Sequence, residues 1–382
     1  MKITVPTIDF GTSKIVTMVA QSNGERCDIV GSGAVPYSGY LQDGWNNPDE
    51  IRDVIRTAID QAQKTGNCRI HELNVGVPGM FTRVIVKEVH VSLTGPDPHV
   101  TAQDVRACFK LAEESGGDRI IHSAPAWFRV DDGKKTLSPV GIKGRELSAM
   151  IALVTADKYF IDDITYRLRD MDIEPREFYS TVAGEATYAL SQDERDKTAM
   201  LIDIGYLCTD VMVMEGDALI FHKCLDIGGG HISADIAEQL NIPFPFVEEK
   251  IKQTYSFNST NQDETYVIPA TEDEPARTVR RDEVTPIIEA KVEEIAEAIN
   301  KALEEGGVKL GKWSNVYLTG GGLILNKGGK DFLAGKLHRI IREAQRTNNK
   351  MTSHVFSSAV GLTILVVTTQ EEQKAPEGGA KG

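Results

Sequence analysis

Two stretches decide how this chain is read: Thr7-Ile8-Asp9-Phe10-Gly11-Thr12-Ser13-Lys14 near the start, and Met200-Leu201-Ile202-Asp203-Ile204-Gly205, with Thr209-Asp210 just after it, in the middle. Each is an apolar strand that ends in Asp-x-Gly and leads into a second apolar run, Ile15 to Val19 in one case and Thr209 to Met214 in the other. Two strand-like runs joined by a short glycine-containing turn predict a β-hairpin. Glycine at the turn lets backbone N–H groups approach a polyanion, neighbouring Thr and Ser add hydroxyls, and an adjacent carboxylate can hold Mg²⁺ through its waters. A single turn of this kind is common in ordinary hairpins. A pair separated by half the chain points to duplicated α/β domains rather than to a solenoid repeat.

Outward from the first hairpin, Cys27 to Val35 predicts a third strand. Asn47-Pro48-Asp49 opens a helix on which Ile51, Val54, Ile55, Ala58, Ile59 and Ala62 recur at helical spacing. Leu73 to Pro78 reads as a buried strand. From Arg83 to Val154 the pattern forms a compact unit of its own, with strands at Val84 to Leu93, Arg119 to Val130 and Leu147 to Val154 and a helix capped at Thr101. Asp157 to Asp170 and Ser180 to Ser191 read as helices. Further on, Ala218 to Leu225 continues a meander, Ser256 to Arg280 is a polar loop or hairpin, and Asp282 to Glu305 is helical. A basic helix is expected from Phe332 to Arg346, with Leu333, Leu337, Ile340 and Ile341 on one side. The polar residues from Glu371 onward are expected to be disordered.

Two glycine triplets lie between a strand and a helix. Gly228-Gly229-Gly230-His231 precedes a helix containing Ile232 and Ile236, and Gly320-Gly321-Gly322 follows the strand Val316-Tyr317-Leu318. Bare backbone at such a junction lets a flat base or ribose lie close; a flexible loop is the other reading. On residues alone, Gly11, Thr12, Ser13 and Lys14 form one phosphate jaw and Gly205 with Thr209 the other. Asp9 and Asp203 are then the carboxylates for a hydrated Mg²⁺.

Composition bounds the function. The chain has 382 residues, 41% of them apolar and 26% charged, enough for two or three domains with a sizeable core. Its formal charge of −14 argues against a broad nucleic-acid surface, which needs an excess of Lys and Arg. The five cysteines are scattered without a Cys-x-x-Cys pair, so the spacing suggests neither a disulfide framework nor a zinc site. The eight histidines have no metal-type spacing, and His231 reads as a loop or cap residue. The start of the chain lacks a signal-peptide pattern and the longest apolar run, Ala359 to Val367, is too short to span a bilayer, so a cytoplasmic protein is expected.

The order of first hairpin, second hairpin and Thr319-Gly320-Gly321-Gly322 loop resembles the superfamily of actin, heat-shock chaperone and sugar-kinase ATPases. Within it the chain most resembles the FtsA family of bacterial actin-like cell-division proteins, over nearly its whole length. Ile8 to Lys14 looks like the family's first phosphate motif, and Ser138-Pro139-Val140-Gly141-Ile142-Lys143-Gly144 like a segment of its special subdomain. Gly228 to Ala237 looks like the run after its second hairpin, and Ser358-Ala359-Val360-Gly361-Leu362 like its final helix. The resemblance implies an α/β actin-like ATPase fold, with two lobes of duplicated mixed sheets flanked by helices and an inserted subdomain. The boundaries are then 1–82 with 155–194 for the first lobe, 83–154 for the insert, 195–367 for the second lobe with an outer part at 238–312, and 368–382 for a disordered tail. It implies ATP with Mg²⁺ as ligands, self-assembly into filaments, and attachment to the tubulin-like ring protein FtsZ through that protein's C-terminal tail.

The resemblance transfers nucleotide contacts to Gly11, Thr12, Ser13, Lys14, Thr209, Gly229, Gly230, Glu249, Lys252, Gly320, Gly321 and Gly322, beside Gly205 from the reading of the residues. The metal stays with Asp9 and Asp203, and Glu185, on the connecting helix, is read either as a water-positioning residue or as a plain helix residue. An i, i+3 spacing would place Glu249 and Lys252 on one helix face. Two departures stand out. Where the family has Asp-Ile-Gly-Gly-Gly-Thr-Thr-Asp, this chain reads Asp203-Ile204-Gly205-Tyr206-Leu207-Cys208-Thr209-Asp210, so side chains replace bare backbone at the phosphate turn and ATPase activity is expected to be weak or absent. After Val367 the sequence is polar, without the family's basic amphipathic helix, so recruitment to the inner face of the membrane is expected only through another protein. Two rival readings remain: a small-molecule kinase of the same superfamily, and a PilM-like adaptor of a pilus or secretion machine.

Overall fold

The computed structural model describes residues 3–114, 116–117, 119–261, 263–270, 275–311, 314–344 and 353–374. The chain forms two compact units, one made of Met1–Ala199, Met212–His222 and Gln345–Gly382, the other of Met200–Val211 and Lys223–Ala344. Strands β1 (Ile3–Phe10), β2 (Lys14–Ser22) and β3 (Cys27–Pro36) form the expected antiparallel meander. A small ribbon of β4 (Tyr40–Leu41) and β5 (Gly44–Trp45) leads to helix α1 (Ile51–Gly66), and β6 (Glu72–Val77) returns parallel to β1. The six apolar positions picked out on α1 are all buried, and the helix stops where Asn67 turns left-handed at φ 46°.

The chain then leaves this sheet. Strand β7 (Thr82–Ser92), helix α2 (Ala102–Glu114) and strands β8 (Ile120–Val130) and β9 (Glu146–Ala156) build a separate antiparallel sheet of order β7-β9-β8. Cys108 and Ala112 of α2 close one face of it against Phe128, Leu147, Ala149, Ile151 and Leu153. The first sheet resumes with α3 (Lys158–Arg169) and β10 (Glu174–Ser180), which runs parallel to β6, followed by α4 (Thr181–Ala189) and the single turn α5 (Gln192–Arg195).

The second half starts the plan again. It runs β11 (Ala199–Ile204), β12 (Thr209–Glu215), β13 (Ala218–Leu225), α6 (Gly229–Gln239), α7 (Phe244–Phe246) and a π-helical turn at Val247–Lys252. A hairpin of β14 (Thr265–Ile268) and β15 (Arg277–Arg280) resolves the polar segment, followed by α8 (Arg281–Glu305), β16 (Asn315–Thr319), α9 (Gly329–Leu337), β17 (Ile341–Glu343) and α10 (Ser357–Lys374). The first sheet has the order β3-β2-β1-β6-β10 and the second β13-β12-β11-β16-β17. Each is a three-strand meander extended past its first strand by two crossovers, so the repeated Asp-x-Gly marks a repeated topology. No helix among the described residues is long and apolar enough to cross a membrane.

Three expectations are corrected. The basic helix stops at Leu337: His338 is left-handed at φ 52°, and Ile341–Glu343 becomes a strand parallel to β16. Ile340 is consequently 66% exposed while Ile341 is buried, and Arg342 sits on a sheet edge, because pairing with β16 outweighs helical periodicity; Arg346 lies outside the described residues. The Gly320-Gly321-Gly322 triplet does not run straight into a helix either, since turns from Gly320 to Gly328 come first. Finally, the segment expected as a tail from 368 is helical to Lys374: Gln370 is buried and its Nε2 donates to Asn74 Oδ1 at 3.3 Å, and the Ser22 hydroxyl donates to Glu371. Residues 375–382 lie outside the described part.

Helix α10 is the return of the chain to the first unit. The two-residue period of the strands sorts their side chains onto two cores. Ile8, Phe10, Ile15 and Val19 face α1, whereas Ile3, Val5 and Ala20 pack with Leu362, Val366 and Val367 of α10, and Val16 and Met18 with Ala359 and Val360. Helices α4 and α10 cross at Gly184 and Gly361, where a Cβ on Gly361 would lie 2.5 Å from the Glu185 Cα. Backbone cannot give way there, so Gly361→Ala is expected to lower stability by about 1–3 kcal/mol through overpacking. Denaturant unfolding of the variant with an unchanged midpoint would contradict this packing.

Candidate nucleotide site

The first hairpin and the second belong to different units, and each is built from its own neighbours. In the first, β1 ends at Phe10, the Gly11-Thr12-Ser13 turn follows, and Lys14 opens β2. The Gly11 N–H donates to the Lys14 carbonyl at 3.1 Å. The turn is fixed from the β3–β4 side: the Tyr40 hydroxyl donates to Phe10 O at 2.9 Å, the Tyr37 hydroxyl to Gly11 O at 2.7 Å, and the Tyr37 N–H to Ser13 O at 3.2 Å. Thr12 is buried, and the Lys14 ammonium lies 5.4 Å from the centre of the Phe356 ring.

Asp9 is buried beneath this turn at the starts of two helices. Thr181, the first residue of α4, donates its hydroxyl to Oδ1 at 3.3 Å, and Ser358, in the first turn of α10, donates to Oδ2 at 2.8 Å. Burial pushes the Asp9 carboxyl above its ordinary range, opposed by the Ser358 hydrogen bond, the Lys14 charge and the Thr181 hydrogen bond. Such a carboxylate is costly as an isolated anion and gains from a cation brought near it. Glu185, one turn along α4, is 1% exposed and its backbone is pressed against Gly361. Thr181 and Ser358 were not picked out in the sequence; the only available signal was a hydroxyl at a predicted helix start.

In the second unit three backbone segments converge. The Gly205 N–H donates to the Cys208 carbonyl at 2.9 Å, which closes the Tyr206-Leu207 turn. Helix α6 begins against it: the Gly229 N–H donates to Gly205 O at 2.9 Å and the Gly230 N–H to Tyr206 O at 2.7 Å. The triplet loop completes the group, with the Gly322 N–H donating to Ile204 O at 2.7 Å. A Cβ on Gly229 would sit 2.4 Å from the Gly322 Cα, and one on Gly320 would sit 2.0 Å from an Asp203 carboxylate oxygen. The glycines are therefore demanded by close approach of backbone to backbone, and Gly320 also by its positive φ of 86°. His231 caps α6, its Nδ1 accepting from the Gly228 N–H at 3.0 Å.

Thr209 is fully buried, and its hydroxyl donates to Ile227 O at 2.7 Å. The Tyr206 ring lies 3.0 Å from where a Gly230 Cβ would be, over the first turn of α6, and the Lys252 ammonium is 5.8 Å from the centre of that ring. Lys252 is buried, which depresses its pKa, and it pairs with Glu248 at 3.4 Å. Glu249, the partner expected from an i, i+3 helix, is exposed instead. The cause is the π-helical turn, whose wider pitch brings residues four or five apart onto one face. Asn326, for which no sequence motif gave a signal, ties this turn to the triplet loop by donating to the carbonyls of Lys252 at 2.6 Å and Tyr255 at 3.1 Å.

The residues of the first hairpin suit a polyanion and a hydrated cation: a glycine turn, hydroxyls, an ammonium and a buried carboxylate. The second hairpin suits a phosphate less well. The amides of Gly229 and Gly230 are spent on Gly205 and Tyr206, and the Tyr206 side chain lies where bare backbone would be needed. The Gly320-Gly321-Gly322 loop leaves close-packed, side-chain-free backbone, the surface a ribose or base requires.

Comparison with known proteins places this geometry. The chain matches the PilM–PilN type IV pilus biogenesis complex with a TM-score of 0.63 at 17% identity, covering 96% of this chain and 99% of that one. It matches MreB5 of Spiroplasma citri bound to ADP with a TM-score of 0.58 at 11% identity, covering 98% and 99%. The fold is that of the actin-like ATPases. Residues 200–361 match the family described as "Cell division protein FtsA", and residues 79–155 match "SHS2 domain inserted in FTSA". The FtsA of Pseudomonas aeruginosa is 24% identical over 376 residues, 96% of this chain and 89% of its own length. The chain belongs to the FtsA family.

Proposed function

We propose that this chain is an adaptor of bacterial cell division that binds ATP with Mg²⁺, self-assembles, and links FtsZ to the division site. The observation that carries the reading is the inserted sheet β7-β9-β8 with α2, which interrupts the first sheet where the matched FtsA insert lies. Two further features support it: the repeated hairpin topology, and the backbone cluster of Gly205, Gly229, Gly230 and Gly322. On this reading Gly11, Thr12, Ser13 and Lys14 take the phosphates, with Asp9 and Asp203 on the waters of Mg²⁺. Gly320, Gly321 and Gly322 take the adenosine, and Lys252, paired with Glu248, borders it. Bound Mg²⁺ would supply charge neutralisation for the triphosphate. Turnover is slow or absent because Tyr206 and Leu207 occupy the second phosphate turn.

Recruitment to the inner face of the membrane then proceeds through a partner protein. The likeness to the PilM–PilN complex favours a second reading, an adaptor of a pilus machine. Affinity capture with the full chain, with Mg-ATP present, separates the two. FtsZ is the expected prey, and sedimentation of purified FtsZ polymers should carry the chain with them. Recovery of an inner-membrane pilus component without FtsZ would overturn the division reading.

A further inference from the structure

The second hairpin carries chemistry that the nucleotide reading leaves unused. Cys208 stands beside the Tyr206-Leu207 turn, at a position where the family's motif has threonine, and Asp210 follows on β12 while Cys224 lies on β13. The ligand atoms of these three residues all lie within 4.8 Å of one another. Their placement is imposed by the fold, since the Thr209 hydroxyl bonds to Ile227 O and the Gly205–Cys208 hydrogen bond closes the turn. Cys208 is 7% exposed, Asp210 and Cys224 are half-buried, and none of the five cysteines is in a disulfide. The scattered cysteine spacing concealed this group, because the two thiols meet only across adjacent strands.

We propose that Cys208, Cys224 and Asp210 form a binding site for a zinc-class divalent cation, with a fourth position for water or an outside ligand. Two sulfurs and one carboxylate are a zinc-type donor set, and sulfur disfavours the hard ions Mg²⁺ and Ca²⁺. A tetrahedral ion with Zn–S bonds of about 2.3 Å needs its sulfurs about 3.8 Å apart. The ligand atoms, all within 4.8 Å of one another, are gathered on that scale. The hydrogen bond with Cys208, burial and the Asp210 charge hold the Cys224 thiol well above its ordinary pKa, so without a cation it stays a neutral, hydrogen-bonded thiol. Cation binding therefore forms two metal–sulfur bonds and releases the two thiol protons to solvent. The site is independent of whether ATP binds, and it would lock the second hairpin onto β13.

The test uses the full chain, purified under reducing conditions and stripped with chelator, titrated with Co²⁺ or Zn²⁺ alone. One equivalent of Co²⁺ should give a sulfur-to-metal charge-transfer band, abolished by one equivalent of Zn²⁺ and unaffected by millimolar Mg²⁺. About two protons should be released per metal at neutral pH, and X-ray absorption of the zinc form should show two sulfurs at about 2.3 Å. Cys208→Ser and Cys224→Ser should each weaken binding by more than about 100-fold, given that changes to groups merely supporting metal ligands cost about 10–100-fold. Cys27→Ser and Cys68→Ser should leave it unchanged. The proton count and the absorption spectrum need no variant, so misfolding of a cysteine variant does not shelter the proposal. No charge-transfer band at one equivalent, a band that survives both serine variants, or conversion of the pair to a disulfide with no metal uptake would overturn it.

Discussion

The double variant Tyr206→Gly with Leu207→Gly is expected to hydrolyse Mg-ATP on the order of 100-fold faster than the natural chain, the scale of effect that misplacing a reacting group by about 1 Å produces. The Tyr206 ring covers the first turn of α6 and reaches to 3.0 Å from the Gly230 Cβ position, so its removal clears that turn. Tyr206 O would still accept from the Gly230 N–H, because that bond uses backbone. On the proposed reading the first hairpin and the triplet loop carry the affinity for ATP, which should then change little. Single-turnover phosphate release is the measurement. An unchanged rate in a variant that still binds ATP would mean that the two side chains are not what limits hydrolysis.

Asp9→Asn should separate fold stability from ligand binding. Burial raises the Asp9 carboxyl above its ordinary pKa. A group raised in this way contributes stability in its protonated form, present below the unfolded value and lost as pH rises through the folded one. Above the unfolded value the raised carboxyl therefore costs stability, while its two hydroxyl partners can equally bond an amide, one by donating and the other by accepting. The variant should melt no lower than the natural chain at pH 7, and the difference between them should shrink towards pH 3. It should lose the stabilisation by Mg-ATP, which on the proposed reading is expected for the natural chain to be about 2.7 kcal/mol at a ligand concentration of about 100 Kd. A full ligand-induced shift in Asp9→Asn would remove Asp9 from the metal site.

Most of the fold was legible from local pattern. The apolar runs of β1 and β2, the helical stripe of α1 and the independent insert between β6 and α3 all follow from patterns that neighbouring residues carry by themselves. The Asp-x-Gly repeat went further, since one short motif anticipated two sheets of the same strand order. What failed was local pattern in competition with distant pairing. Leu333 to Ile341 satisfies a helix, yet Ile341 to Glu343 is taken by the edge of β16, and the polar turns of α10 are held by Asn74 and Ser22 from strands at the other end of the chain.

The candidate site divides in the same way. Glycines, hydroxyls and carboxylates at the two hairpins could be named in advance because each turn needs them within a few residues. Thr181 and Ser358 reach Asp9 from positions far along the chain, and Asn326 reaches Lys252 likewise. Glu248 displaced Glu249 because a π-helical turn changes which residues share a face.

The sequence by itself determined the class of fold, the places where the backbone must be bare, and the departure at Tyr206 and Leu207. Only the tertiary structure decided that Gly229, Gly205 and Gly322 are needed against one another, that α10 closes the first unit's core, and that Cys208 meets Cys224 and Asp210. The physical reason is that propensity and capping act over a few residues, whereas backbone approach, strand pairing and ligand geometry are set by segments that come together only when the chain has folded.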